Sequence, residues 1–598
     1  MVATTDLIRP EQAKTLYGLF QQRVQRTPEH IAYRSYNNSD KSWLDTSWNE
    51  AAMQVARWQA ALIKEKLQPG DRVALNLRNC KEWVFFDQAA MGLGLVIVPL
   101  YPDDRPDNVA YILQDADVKL VLLQNVKQWQ KLQPAITDEH HLQRILINNP
   151  ADTAVESLAL YVNDWLSDDS AILHDCLSQP EQLASIIYTS GTTGKPKGVM
   201  LSHLNMLSVA WGALQYFDIY ASDVFLSFLP LSHTLERTAG YYLPIMAGAT
   251  VAYSRGIPQL GDDMLQVKPT ILIAVPRVFE RIYSRLHNQL AKKSFIAKSL
   301  FNATITVGWA RFLYQQKQQS WRPTLLLWPT LEKLVATKVQ QKLGGNIRLI
   351  VTGGAALSEQ VSKLFIGLGQ QILQGYGLTE TSPVISVNEP NSNFPASVGR
   401  PLHGITVSIG DNDELLVKGP GNMMGYWNNH KATAQTIDSQ GWLHTGDQAR
   451  ITEQGHIYIT GRIKDILVLS NGEKVPPADI EAAILSDDTF EQAIVVGEGE
   501  SYLAAVLVLN SDLWFSLAKH HQLDPFVHDN LNNKQLHNEI LQRLKQRLHD
   551  FPSYAKIRRV ILTLEPWTVD NDLLTATLKV KRNKVIDYLQ ADIDLMFR

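Results

Sequence analysis

Short apolar runs alternate with amphipathic stretches through much of this chain, and no other feature narrows its fold as much. Val73-Ala-Leu-Asn-Leu reads as a strand, Trp83 to Leu93 as a helix, and Val96-Ile-Val-Pro-Leu as another strand. The alternation returns at Ala184-Ser-Ile-Ile-Tyr, Thr270-Ile-Leu-Ile-Ala-Val and Ile347-Arg-Leu-Ile-Val-Thr. Strands interleaved with helices pair in parallel and are covered on both faces, with ligands gathering at their carboxyl ends. The expected class is α/β, with parallel-rich sheets covered by helices.

A chain of 598 residues is too long for one core, so at least two domains are expected. Arg281 to Gly344 is poor in glycine and carries Phe295, Ile296, Leu300, Phe301, Trp309, Phe312 and Leu313 at helical spacing. Lys292, Lys293, Lys298 and Arg311 lie among them, so this stretch reads as a helical insertion. From Gly410 to Ile459, short strands and glycine turns indicate a β-rich subdomain. After Gly461 the pattern resets, with strand-like Ile466-Leu-Val-Leu and a helix from Pro477 to Leu485. The expected division is an N-terminal domain over 1–460 and a smaller α+β C-terminal domain over 466–598. Within the first lie an insertion at about 281–344 and a β-rich subdomain at about 395–460, and 461–465 is the link.

With 56 basic and 60 acidic residues, the net charge of −4 gives no general reason to bind nucleic acid. Cys80 and Cys176 form no metal-binding pattern, and a reducing cytoplasm is the simpler setting. The N-terminus does not read as a secretory signal, and the most apolar run, Ala89 to Leu100, is about half the roughly 20 residues that cross a bilayer.

Chemistry concentrates in Tyr188-Thr-Ser-Gly-Thr-Thr-Gly-Lys-Pro-Lys-Gly, directly after a strand. Thr189, Ser190, Gly191, Thr192, Thr193, Gly194 and Lys195 combine hydroxyls, exposed amides and charge, the elements of a polyphosphate cradle. It is not a P-loop, because Pro196 stands where that motif needs glycine.

The segment resembles the signature of the adenylate-forming superfamily, which includes acyl-CoA synthetases, firefly-type luciferases and peptide-synthetase adenylation domains. Further segments match in that family's order along almost the whole chain. Gly353-Gly354-Ala355-Ala-Leu resembles its adenine-pocket loop, and Gln374-Gly375-Tyr376-Gly377-Leu-Thr379-Glu380-Thr its next signature. Gly441-Trp-Leu-His-Thr-Gly-Asp447 resembles the ribose-binding segment, and Gly461-Arg-Ile-Lys-Asp465 the hinge.

The resemblance assigns roles that the residue types suit. Tyr376 would stack on adenine. Glu380 is a hard ligand for Mg²⁺, with the Thr192 hydroxyl near the same ion. Asp447 and Arg462 would reach the ribose. In Leu229-Pro-Leu-Ser-His-Thr-Leu-Glu-Arg237, His233 would orient the acyl carboxylate, although a structural histidine is the commoner role of such a residue. Leu573-Leu-Thr-Ala-Thr-Leu-Lys-Val-Lys resembles the catalytic-lysine segment; Lys579 aligns best and Lys581 stays open. Leu578 stands where many superfamily members have glycine, a departure shared by the fatty-acid branch. Lys464 falls on the pivot of a mobile C-terminal domain, and Gly472 near the pantetheine.

The resemblance therefore implies ATP, Mg²⁺ and coenzyme A acting on a long-chain fatty acid. The uninterrupted run after the hinge, Asp465-Ile-Leu-Val-Leu-Ser-Asn-Gly, favours thioester formation over release of an adenylate. An acyl carrier protein as acceptor, and a non-catalytic sensor on the same scaffold, are the alternatives. Trp211, Phe217 and Tyr241 are weak candidates for the acyl tunnel. The basic-aromatic insertion either rests on a membrane surface or simply covers the sheet.

Overall fold

The computed structural model describes residues 6–149, 158–166, 171–189, 195–549 and 551–598. Val73, Ala74 and Leu75 are wholly buried, as an unbroken apolar strand requires. Their strand, Arg72–Asn76, lies inside an eight-stranded sheet ordered Gly425–Tyr426, Lys197–Ser202, Leu183–Thr189, Val96–Pro99, Arg72–Asn76, Val118–Leu123, Arg144–Ile147 and Ala159–Tyr161. The last six are parallel; the first two run antiparallel at one edge.

A second sheet of nine strands has a parallel centre: Thr250–Tyr253, Val224–Ser227, Ile271–Ala274, Leu349–Thr352 and Ile372–Tyr376. The hairpin Ile31–Asn37 and Ser42–Ser47 extends one edge, and two short antiparallel strands extend the other. The largest core draws on both sheets, with Trp48, Trp58, Trp83 and Phe86 buried in it. Inside it Arg237 Nη2 meets Asp87 Oδ1 at 2.5 Å, with neither side chain accessible to solvent. Tyr241 and Tyr242 donate to the other Asp87 oxygen at 3.1 Å, and Ser185 Oγ accepts from Arg237. Such a pair survives burial because its hydrogen bonds are filled. Tyr241 is thus committed to this network through its hydroxyl, and Phe217 is buried in the same core, the place the sequence favours for both.

The helical stretch begins at Pro276 rather than Arg281, since proline at the first helical position is already shaped for the helix. Pro276–Ala291 is followed by Phe295–Gln315 and then by short helical turns to Lys342. Phe295–Gln315 buries Phe301, Thr304, Val307, Gly308 and Phe312 against Glu359–Gly367. Gly308 is essential to that crossing, because a Cβ there would lie 1.9 Å from the Gly367 carbonyl oxygen.

Thr406–Ile409, Glu414–Lys418, Leu443–Ile451 and Ile457–Arg462 form a separate four-stranded antiparallel sheet. Beyond it, the expected strand at Ile466 shortens to Leu467–Val468, which turns at Asn471-Gly472 to pair with Lys474–Val475. Phe490–Val496, Leu503–Leu509 and Ile557–Thr563 make a three-stranded sheet flanked by helices. Its two apolar cores draw only on residues after 466, so this part is stabilised by its own burial.

Candidate active site

The carboxyl ends of the parallel strands gather the expected segments. Thr189 ends one strand of the first sheet. In the second, His233 follows Val224–Ser227, Gly353 follows Leu349–Thr352, and Tyr376 ends Ile372–Tyr376. Gln374 Oε1 accepts from the Leu357 amide at 3.0 Å, tying the Gly353-Gly354-Ala355 loop to its neighbouring strand. Gly375 lies beside Gly353, with the Gly375 carbonyl 3.4 Å from where a Gly353 side chain would begin. Gly377 can carry no side chain, since its Cβ would meet the Pro383 carbonyl at 1.7 Å. That tight passage leads into the turn Thr379–Thr381, where the Thr379 hydroxyl sits 3.4 Å from Thr234 Oγ1 in the His233 segment.

Asp447 and Arg462 are register partners in the four-stranded sheet, and Arg462 Nε donates to Asp447 Oδ1 at 2.9 Å. Tyr376 donates its phenolic hydrogen to Asp447 Oδ2 at 2.6 Å. Each carboxylate oxygen keeps a second lone pair that a ribose hydroxyl can use. Burial and the Asp447 charge raise the Tyr376 pKa well above its usual value, so the phenol stays a donor.

Glu380 accepts at Oε1 from Tyr426 Oη, at 2.8 Å. Tyr426 belongs to the strand Gly425–Tyr426 of the first sheet, so this bond joins the two sheets at the site. Sequence reading did not single out Tyr426; the Gly-Tyr-Trp run around it carries no spacing that points to Glu380. Lys197 Nζ lies 5.1 Å from the centre of the Tyr426 ring, and Lys195 Nζ lies 4.7 Å from that of Tyr111.

His233 is set by its own chain. The Leu235 amide donates to Nδ1 at 3.1 Å, which places the ring proton of the neutral form on Nε2. Burial, and then the nearby Lys579 charge, lower its pKa to about 4. At neutral pH it is therefore an uncharged donor.

Lys579 comes from the C-terminal part and enters this constellation. Its surface is open, yet it lies within electrostatic reach of Arg462, Asp447, Glu380 and His233, as a side chain lining a cleft does. Desolvation, then Arg462, lower its pKa from the usual value. The Lys579 amide donates to Thr575 Oγ1 at 3.0 Å, closing a tight loop. Lys581 instead pairs with Asp572 at 2.5 Å. Lys464 is exposed just beyond Arg462. Gly472 sits in its hairpin turn at φ 84°, with open space around it. Ser190, Gly191, Thr192, Thr193 and Gly194 lie outside the described residues.

The model of the AMP-binding enzyme family matches residues 20–427, and that of the AMP-binding enzyme C-terminal domain matches residues 464–598. The chain belongs to this family. Among curated relatives of the AMP-binding enzyme, the long-chain-fatty-acid–CoA ligase FadD15 of Mycobacterium bovis is 30% identical, with 95% of each chain covered. Fatty acyl-CoA synthetase A of Dictyostelium discoideum is 29% identical over 98% of this chain and 90% of its own. The crystal structure of the anthranilate CoA ligase AuaEII with anthranoyl-AMP shares the fold, with a TM-score of 0.73 at 18% identity, covering 97% of this chain and 98% of that one.

Proposed function

We propose that this protein is an ATP-dependent, AMP-forming long-chain fatty-acid–CoA ligase. The names of its full-length relatives support the substrate class. The observation that carries the reading is that Lys579, from the C-terminal part, lies within electrostatic reach of Asp447, Arg462, Glu380 and His233.

A fatty carboxylate is already ionised at neutral pH, so adenylation needs no general base. The difficulty is bringing one anion onto another. His233 offers an uncharged Nε2–H to orient the carboxylate without holding it as a tight ion pair. Lys579 offsets charge gathering around the α-phosphorus as pyrophosphate leaves. Asp447 and Arg462 hold the ribose, and Tyr376 lies against the adenine. The segment Thr189 to Lys195 cradles the outer phosphates.

Mg²⁺ suits the Glu380 carboxylate, which Tyr426 orients through one oxygen; such ions are held by one or two carboxylates together with substrate phosphates. Glu380, with Thr192, would hold the ion, which would supply charge neutralisation on the phosphates. In the second half-reaction the coenzyme A thiol attacks the acyl carbonyl and AMP leaves. We place the hinge at 461–465, with Lys464 as pivot and 466–598 as the moving part. Its rotation withdraws Lys579 and brings the Gly472 turn towards the pantetheine.

Among the described residues no helix is long and apolar enough to cross a membrane. Peripheral contact rests on Phe295 and Ile296, which are 82% and 77% exposed and lie in the chain between Lys292, Lys293 and Lys298. The helix they begin also covers the second sheet, so the two roles of this segment are compatible. A cytoplasmic setting agrees with the free thiols of Cys80 and Cys176.

The deciding experiment is pyrophosphate release across C2 to C20 acids with coenzyme A or acyl carrier protein as acceptor. A maximum at long chains with coenzyme A is expected. Lys579→Ala should lower pyrophosphate exchange by at least about 10²-fold, the scale of losing one oxyanion donor. No AMP production with any fatty acid would refute the proposal.

A further inference from the structure

Asp572 lies at the base of the loop that carries Lys579. Its Oδ1 meets Lys581 Nζ at 2.5 Å and Arg105 Nη1 at 3.1 Å, while Oδ2 is 3.5 Å from Lys584 Nζ. Arg105 belongs to the other side of the cleft, just after the first-sheet strand Val96–Pro99 and at the start of the helix Pro106–Asp115. The guanidinium is not loose: Nε and Nη2 are fixed by Asp107 at 3.0 and 2.7 Å, leaving Nη1 aimed at Asp572. Asp104 is within electrostatic reach of Lys581 and is itself fixed by the Arg105 amide and Asn108. Two charges from the first sheet therefore face two opposite charges from the lysine loop.

Inside that loop the Lys581 amide donates to the Leu573 carbonyl at 2.9 Å, and Leu574 bridges Val580. The loop is thus closed at its base, with Lys579 next to its tip, paired with Thr575. A contact at the base sets where the tip points. The pairs are partly exposed, with about 30% of the Arg105 and Asp572 side-chain surfaces accessible. Exposed ion pairs of this kind are weak enough to break within a catalytic cycle.

We propose that Asp572 and Arg105 are positioning residues that latch the Lys579 loop onto the first sheet for adenylation and part when the thioester forms. This rests on the two-step ligase reading above. The latch joins the two parts only in the arrangement seen here, so its loss should cost the first half-reaction alone.

The test compares R105Q, D572N and the double variant R105Q/D572N in the full-length protein. ATP–pyrophosphate exchange with a long-chain acid reads the first step, and coenzyme A-dependent turnover of synthetic acyl-adenylate reads the second. Each single variant is expected to lower exchange roughly two- to fivefold, the range of a partly exposed ion pair. The double variant should be no worse than D572N alone, because D572N already removes the Arg105 contact that R105Q removes. Thioester formation should be unchanged or faster, which also shows that the variants are folded. Equal losses in both steps, losses that multiply in the double variant, or full exchange in all three would overturn the latch. Absence of exchange in the wild-type protein would defeat the ligase reading and the latch together. Normal wild-type exchange with unaffected variants would defeat the latch alone.

Discussion

Tyr426 donates its phenolic hydrogen to Glu380 across the junction of the two sheets, at 2.8 Å. The bond fixes one carboxylate oxygen and leaves the direction of the other defined. Tyr426→Phe should keep the fold and slow adenylation about tenfold, the worth of one hydrogen bond to a charged group. The Mg²⁺ concentration for half-maximal exchange should rise with it. Unchanged magnesium dependence would remove Glu380 from the ion's site.

His233 is uncharged at neutral pH, with its proton on Nε2. Because its pKa is lowered to about 4, kcat/KM for the fatty acid should pass through pH 6 to 7 without a break from this group. His233→Ala should reduce kcat/KM about 10- to 100-fold by removing a donor to a carboxylate. A wild-type inflection near pH 6.5 that vanishes in the variant would contradict this assignment.

Glu236 is buried one helical turn after His233, and its Oε2 has no hydrogen-bond partner among the described residues. Burial pushes its pKa up to about 8, so the folded protein holds a proton that the unfolded chain releases near pH 4.5. Stability is therefore lost as pH rises through that window, at about 1.4 kcal/mol per pH unit. Glu236→Gln cannot titrate, so the Tm of the variant minus that of the wild type should grow from pH 5 to pH 8. Parallel Tm curves across this range would show that the acid is not buried neutral.

Leu578 holds a left-handed backbone at φ 62°, with 71% of its surface exposed. The side chain gains little burial there and the backbone is strained by about 1 kcal/mol. Leu578→Gly should raise the Tm of the C-terminal part slightly and leave pyrophosphate exchange intact. A lower Tm would show that Leu578 makes a contact worth more than its strain.

The exposed end of the helix Phe295–Gln315 should bind anionic vesicles. Replacing Phe295 and Ile296 by glutamate should reduce flotation by more than tenfold, since each apolar side chain contributes about 1.5–3 kcal/mol when buried. Changing Lys292, Lys293 and Lys298 to glutamine should weaken binding to anionic but not neutral lipid. Equal flotation of all variants would leave the helix as a sheet cover only.

The sheets were legible because strand centres such as Val73-Ala-Leu75 and the strand Ile271–Ala274 are unbroken apolar runs, a pattern that two-sided burial explains. Segments tied to a strand end, such as Gly353 and Tyr376, could be placed for the same reason. Contacts between distant segments were not legible. Tyr426 and Glu380 are far apart in the chain, and nothing in either segment marks the other. Arg105 and Asp572 meet only because two separately folded parts adopt one arrangement, and charged residues at such spacing are ordinary on any surface. The sequence favours a core place for Tyr241 over tunnel lining, but its partner Asp87 lies on another helix and could not be named from the sequence.

Backbone touches backbone where Gly308 crosses Gly367, and the second of those helices ends only a few residues before the strand that carries Tyr376. Because the backbones meet directly at that point, the two helices form a strut. The face bearing Phe295 and the strand end carrying Tyr376 are thereby held at a fixed distance, so that a chain resting on a surface by that face would keep Tyr376 at one height above it.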